Sequence, residues 1–146
     1  MPVATPPPVA HDAAASRLDR AIVREINAAR AHAGRPPLTS TTRLRQLARH
    51  HTLDMLRHDF FSHDGDGTSF SQRIKARVHY GKVGETLASM PRRAGARRIV
   101  RAWLRSPSHR AVMLDPAYRR VGVSGAKGRL GSGSAFLVTA DFSTWR

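Results

Sequence analysis

The sequence predicts an α+β fold in which helices pack on a small antiparallel sheet within one domain. Three observations carry this. Apolar residues recur at helical spacing through most of residues 17–114. Beyond Val121 the pattern changes to short apolar runs broken by glycines, so helices come first and strands last. At 146 residues the chain can bury a core without disulfides, and it has no cysteine to form one.

Residues 1–16 read as a disordered leader, because Pro2, Pro6, Pro7 and Pro8 oppose regular structure, and residues 17–146 read as the domain. Ser16 is the expected N-cap of a first helix with the stripe Leu18, Ile22, Ile26 and Ala29, stopped by Gly34. Arg35-Pro36-Pro37-Leu38 is extended, since each proline biases its predecessor away from helix. A second helix is expected from Ser40 or Thr41, carrying Leu44, Leu47, Ala48, His51 and Met55 and ending by Phe60-Phe61. Asp64-Gly65-Asp66-Gly67 is a turn, and a short helix from about Ser69 turns Phe70, Ile74 and Val78 inward.

The segment Ala94 to Arg105 is the clearest helix. Ala96, Ile99, Val100, Trp103 and Leu104 form its apolar stripe, with Arg93, Arg97, Arg101 and Arg105 opposite. Trp103 is expected in the core, where its indole N–H needs one partner. Pro107 ends that helix, and Ser108 is the expected cap of a short one with Val112, Met113 and Leu114. Val121-Gly122-Val123 and Ala135 to Phe142 are strands, joined as a hairpin by a glycine-rich loop from Gly125 to Gly133.

A formal net charge of +15, almost all of it arginine, favours polyanions through steering and counterion release. The aromatics that would stack on single-stranded bases are not interleaved with the basic residues, which argues against sequence-specific nucleic-acid reading. A solvated basic face and an anionic polymer both remain open as its role. No run has the length of a membrane span, and Met1 to Ala15 lacks the basic-then-apolar pattern of a signal peptide.

Three segments carry side chains able to hold a divalent metal or move protons: Phe60-Phe61-Ser62-His63, Gly84-Glu85-Thr86-Leu87 and Ser106-Pro107-Ser108-His109-Arg110. With them, Ile26-Asn27-Ala28-Ala29-Arg30, Gly34, Pro36-Pro37-Leu38, Ala102-Trp103-Leu104-Arg105 and Val121-Gly122-Val123 make an ordered set. In that order they resemble bacterial CAP domains, also called SCP-like: the cysteine-rich secretory, antigen five and pathogenesis-related proteins. The resemblance spans Ser16 to the C-terminus.

It implies a three-layer α-β-α sandwich, a secreted or extracellular protein whose signal lies outside this chain, and binding of small apolar, lipid-like or cell-envelope molecules. It also implies a cavity of two histidines and two acids, which places His63, Glu85 and His109 together as cavity and metal residues. The family's second glutamate has no match in Ile99 to Ser106, and Asp115 and Asp141 are the only acids after Glu85. Gly84-Glu85-Thr86 also departs from the commoner Gly-Glu-Asn.

His63, Glu85 and His109 would suit an optional zinc with one position left for water. The alternative is a hydrogen-bonded polar cluster that fixes the loops around the cleft. Catalysis would need a placed base or nucleophile, and Ser62 or Ser71 is adjacent in sequence only. His51 is expected in the core, His50 at the surface, His58 and His79 near loop ends and His11 in the leader. The expected function is a non-enzymatic ligand-binding module, with a metal-dependent hydrolase and a polyanion-binding surface as alternatives.

Overall fold

The computed structural model describes residues 11–65, 69–75 and 81–144, with side chains from Arg17 onward. In chain order the elements are α1 (His11–His32), β1 (Thr39–Ser40), α2 (Thr42–His58), α3 (Phe70–Lys75), β2 (Val83–Met90), α4 (Ala96–Arg105), α5 (Pro107–Met113), β3 (Arg120–Leu130) and β4 (Gly133–Ser143). Residues 1–10, Val78 and His79 lie outside the described residues.

The sheet order is β1-β3-β4-β2. Its three long strands are antiparallel, and β1 adds two residues in parallel against Arg120 and Val121. Alternation along β4 separates two cores, because successive strand side chains point to opposite faces. Phe136, Val138, Ala140 and Phe142 pack with Ile22 and Ile26 of α1, Ile99 and Trp103 of α4 and Met113 of α5. Ala135 and Leu137 pack on the other face with Met55 of α2 and Leu87 of β2. Ile74 of α3 joins Leu44 and Leu47 of α2. The result is an α-β-α sandwich.

Local chemistry accounts for the element ends. Thr41 caps α2 by accepting from the Leu44 N–H, and Asp59 closes that helix in the left-handed conformation. Ser69 and Gln72 form a reciprocal capping box: Ser69 Oγ accepts from the Gln72 N–H, and Gln72 Oε1 accepts from the Ser69 N–H. The first-helix motif is a clamp. Asn27 exchanges two hydrogen bonds with the Leu38 backbone, while buried Arg30 donates to the carbonyls of Pro36, Met113, Asp115 and Tyr118. Trp103 donates its indole N–H to the Leu87 carbonyl of edge strand β2 at 2.9 Å.

Several sequence-based expectations need correction. α1 begins at His11, so Ser16 lies inside the helix rather than capping it, in keeping with the helix-favouring alanines at 13–15. β2 was not expected. Both of its faces are covered, so Gly84 to Ala88 are all buried and no alternation signals the strand. The hairpin loop is shorter than Gly125 to Gly133: the strands run to Leu130 and from Gly133, and the turn uses Gly131 at φ 62°. Gly125 and Gly128 instead make room for the Phe136 ring and the Leu56 side chain. At α5, Ser106 rather than Ser108 occupies the cap position, and Pro107 takes the first helical position that its missing N–H suits.

Candidate functional site

The site forms where α2, α3 and the intervening loop meet edge strand β2. Glu85 on β2 and Asp141 on β4 are cross-strand partners, and both side chains are fully buried. Asp141 is therefore the second acid beside Glu85. Asp115 lies elsewhere, paired with Lys82.

Arg73 enters from α3. Its Nη2 donates to Glu85 Oε2 at 2.8 Å and to the His63 carbonyl at 3.0 Å, while its Nη1 stands 3.6 Å from Asp141 Oδ2. His63 follows α2, and its Nδ1 donates to Glu85 Oε1 at 3.0 Å. This partner fixes the tautomer: in neutral His63 the proton is on Nδ1, and Nε2 keeps its lone pair. The His63 side chain is 46% exposed, so the imidazole reaches from a buried carboxylate to solvent.

His51 is the fully buried histidine expected on the α2 stripe, but it also serves the site. Its Nε2 contacts the Ser62 carbonyl at 2.7 Å, which requires a proton there, and lies 3.7 Å from Glu85 Oε1. His51 and Arg73 thus hold consecutive carbonyls of the loop that presents His63. Phe60 packs edge-on against His51, and Phe70 tilts against His63. Phe61 is 44% exposed. His109 stands on α5 with Nδ1 buried and without a partner among the described residues. His50 is at the surface, and the exposed His58 pairs with Asp54.

The electrostatics separate the two acids. Burial pushes Glu85 upward, but hydrogen bonds from Asp141 and His63 and the charges of Arg73 and His51 outweigh it, leaving a pKa of about 2. Burial and the Glu85 charge push Asp141 well above the usual carboxylate range, against the pull of Arg73. Two ionised carboxylates would leave both Asp141 oxygens without partners. A proton on Asp141 lets its O–H donate to Glu85, which removes the conflict. His51 is pushed down by burial, against the pull of Glu85. His109 is lowered first by burial and then by the charge of nearby His63.

This arrangement is already neutralised without a metal. Both Glu85 oxygens are engaged, and Arg73 places a cation on the carboxylate that would serve as ligand. Among the described residues no group of three His, Asp or Glu side chains is set to hold a metal ion. As placed, the residues do not fit a zinc bound through Glu85. No hydroxyl bonds to His63 among the described residues, and Ser62 Oγ accepts from the Asp64 N–H.

The model of the cysteine-rich secretory protein family, CAP, matches residues 23–142. The chain belongs to the CAP family. This CAP domain is 28% identical over 110 residues to the Bacillus subtilis protein YkwD, described as uncharacterized, covering 74% of this chain and 42% of that protein. It therefore spans less than half of that relative's length. An outer surface protein from Borrelia burgdorferi superposes with a TM-score of 0.71 at 23% identity, over 87% of this chain and 92% of that one. An extracellular protein containing a SCP domain from Bacillus anthracis gives 0.70 at 19% identity, over 95% and 45%. These similarities show the shared fold.

Within the CAP domain, sequence reasoning missed Arg73 and did not place Asp141. A long cation on a six-residue helix looks like any solvated arginine. Asp141 did carry a signal: it interrupts the apolar run Ala135 to Phe142, in register with inward-facing Leu137 and Thr139.

Proposed function

We propose that this CAP domain is a non-enzymatic binding module whose cleft takes an apolar molecule and engages one polar group of it through His63. The observation that carries the reading is the Glu85–His63 hydrogen bond, which fixes the half-exposed imidazole on a buried anchor. Phe61 adds exposed aromatic surface two residues away. A ligand donating an O–H or N–H to Nε2 while covering Phe61 would satisfy both. Binding is favoured over turnover because, among the described residues, the dyad has neither a bonded nucleophile nor a metal-ready carboxylate beside it. The extracellular and outer-surface descriptions of structural relatives support export and an envelope setting for this chain.

The test is fluorescence titration with cis-parinaric acid, using long-chain alcohols as competitors. Saturable binding is expected. Phe61→Ala should weaken it about tenfold or more, as loss of a buried aromatic contact would, and His63→Ala should remove the preference for hydroxyl-bearing competitors. Equal binding by all three proteins would overturn the proposal.

A further inference from the structure

The outward face of α4 contributes no side chain to the hydrogen bonds around Glu85. Arg97, Arg98, Arg101 and Arg105 are all exposed, and none has a hydrogen bond or ion pair among the described residues. At 100° per residue they fall within about 100° of arc, and at 1.5 Å per residue they extend over about 12 Å. Exposed Arg92 precedes the helix and Arg110 follows on α5. Between Glu85 and Asp115 the sequence has no acidic residue, so nothing within this segment offsets these charges. Like charges at this spacing repel one another by a few tenths of a kcal/mol per pair, and a bound polyanion relieves that repulsion.

We propose that the arginine face of α4 docks a linear, base-free phosphodiester chain of the polyol phosphate type. Three observations select this partner. Guanidinium groups bind phosphate oxygens in bidentate fashion. The face has no exposed aromatic and no Asn or Gln with which to stack on or read bases, since Trp103 is buried in the core. Beside the arginines it exposes only Ala102, and Leu104 is packed against the core, so the face offers no large apolar side chain to wedge into a lipid bilayer. The surface therefore offers contacts to a charged backbone and none to bases, and a flexible phosphodiester chain without bases meets these requirements.

The test is fluorescence anisotropy of labelled poly(glycerol phosphate) with the full chain. Two charge-matched variants are compared: Arg97→Gln/Arg101→Gln/Arg105→Gln on α4, and Arg57→Gln/Lys75→Gln/Lys127→Gln on other exposed sites. The α4 variant should lose about tenfold or more in affinity at about 50 mM salt, and its log–log salt slope should fall by about 2. The control should stay within about twofold. Duplex DNA and phosphatidylglycerol vesicles should compete less well at equal phosphate. Arg101→Glu, a single exposed change, should weaken binding too and serves if the triple variant melts early. Equal losses in both triples, no binding by the native chain, or stronger competition by DNA or vesicles would each overturn the proposal.

Discussion

Glu85 and Asp141 stand opposite each other on β2 and β4, the first with its pKa held down and the second with its pKa pushed up, with Arg73 as the nearby cation. Their charge states make different substitutions diagnostic. Arg73→Met leaves the buried Glu85 charge without its cation and should cost about 3 kcal/mol at neutral pH. Asp141→Asn keeps an N–H donor toward Glu85 and should change stability by less than about 1 kcal/mol. Urea unfolding of both variants at pH 7 checks this; a larger loss in Asp141→Asn would mean that Asp141 is ionised.

The pH dependence follows from the same pair. The folded-state pKa of Glu85 is about 2, below its ordinary 4.5. Its contribution is therefore present above pH 4.5 and is lost as pH falls toward 2. The destabilisation caused by Arg73→Met should accordingly shrink as pH falls through that window, as read from denaturant midpoints at pH 7 and pH 3.

Asp19 shows the opposite sign. It is buried on α1 and accepts the Gly125 N–H at 3.0 Å, and burial pushes its pKa up to about 7 against that hydrogen bond and the charges of Arg45, Arg49 and Arg20. The folded state then holds a proton that the unfolded state releases near pH 3.8, so stability falls as pH rises from 3.8 to 7. Asp19→Asn should raise stability by about 2 kcal/mol at pH 7.5 and change little at pH 3.5. Thermal unfolding at the two pH values measures it, and an equal effect at both would refute the assignment.

Gly122 tests the sheet–helix approach. A Cβ there would collide with the backbone of Leu44 and Arg45 at the start of α2, and backbone cannot rotate aside. Gly122→Ala should cost about 3 kcal/mol, or prevent folding. At Gly84 the obstruction is the Tyr118 hydroxyl, with the Val112 side chain beside it. Gly84→Ala should therefore be milder and be partly rescued by Tyr118→Phe. Chemical denaturation of the double variant separates the two cases.

Zinc should bind weakly, because Arg73 opposes a dication at Glu85. Calorimetric titration is expected to give no saturable micromolar heat, with the same result for His63→Ala and His109→Ala. A micromolar heat lost in both variants would show a two-imidazole zinc site.

The helices were legible because their burial is one-sided. Leu44, Leu47, Ala48, His51 and Met55 kept helical spacing and are buried as expected, and Trp103 found the single indole partner it needed. β2 was not legible, since Gly84 to Ala88 are covered on both faces and show no period. Spacing could not bring His63 to Glu85; the ordered motifs suggested their meeting. Arg73 escaped even those motifs, because its role depends on the placement of α3 rather than on any local pattern.

The Arg30 clamp bears on how long the fold persists as well as on its shape. Three of its four acceptors, Met113, Asp115 and Tyr118, lie 83 to 88 residues away in sequence. Contacts at that separation form late, after loop-closure entropy has been overcome elsewhere. An interaction absent from the folding transition state acts on unfolding, so Arg30→Lys should speed unfolding while leaving the refolding rate nearly unchanged. Stopped-flow chevrons would show this as a shift of the unfolding limb alone. In a protein exposed to proteases, this one guanidinium would then govern the lifetime of the native state.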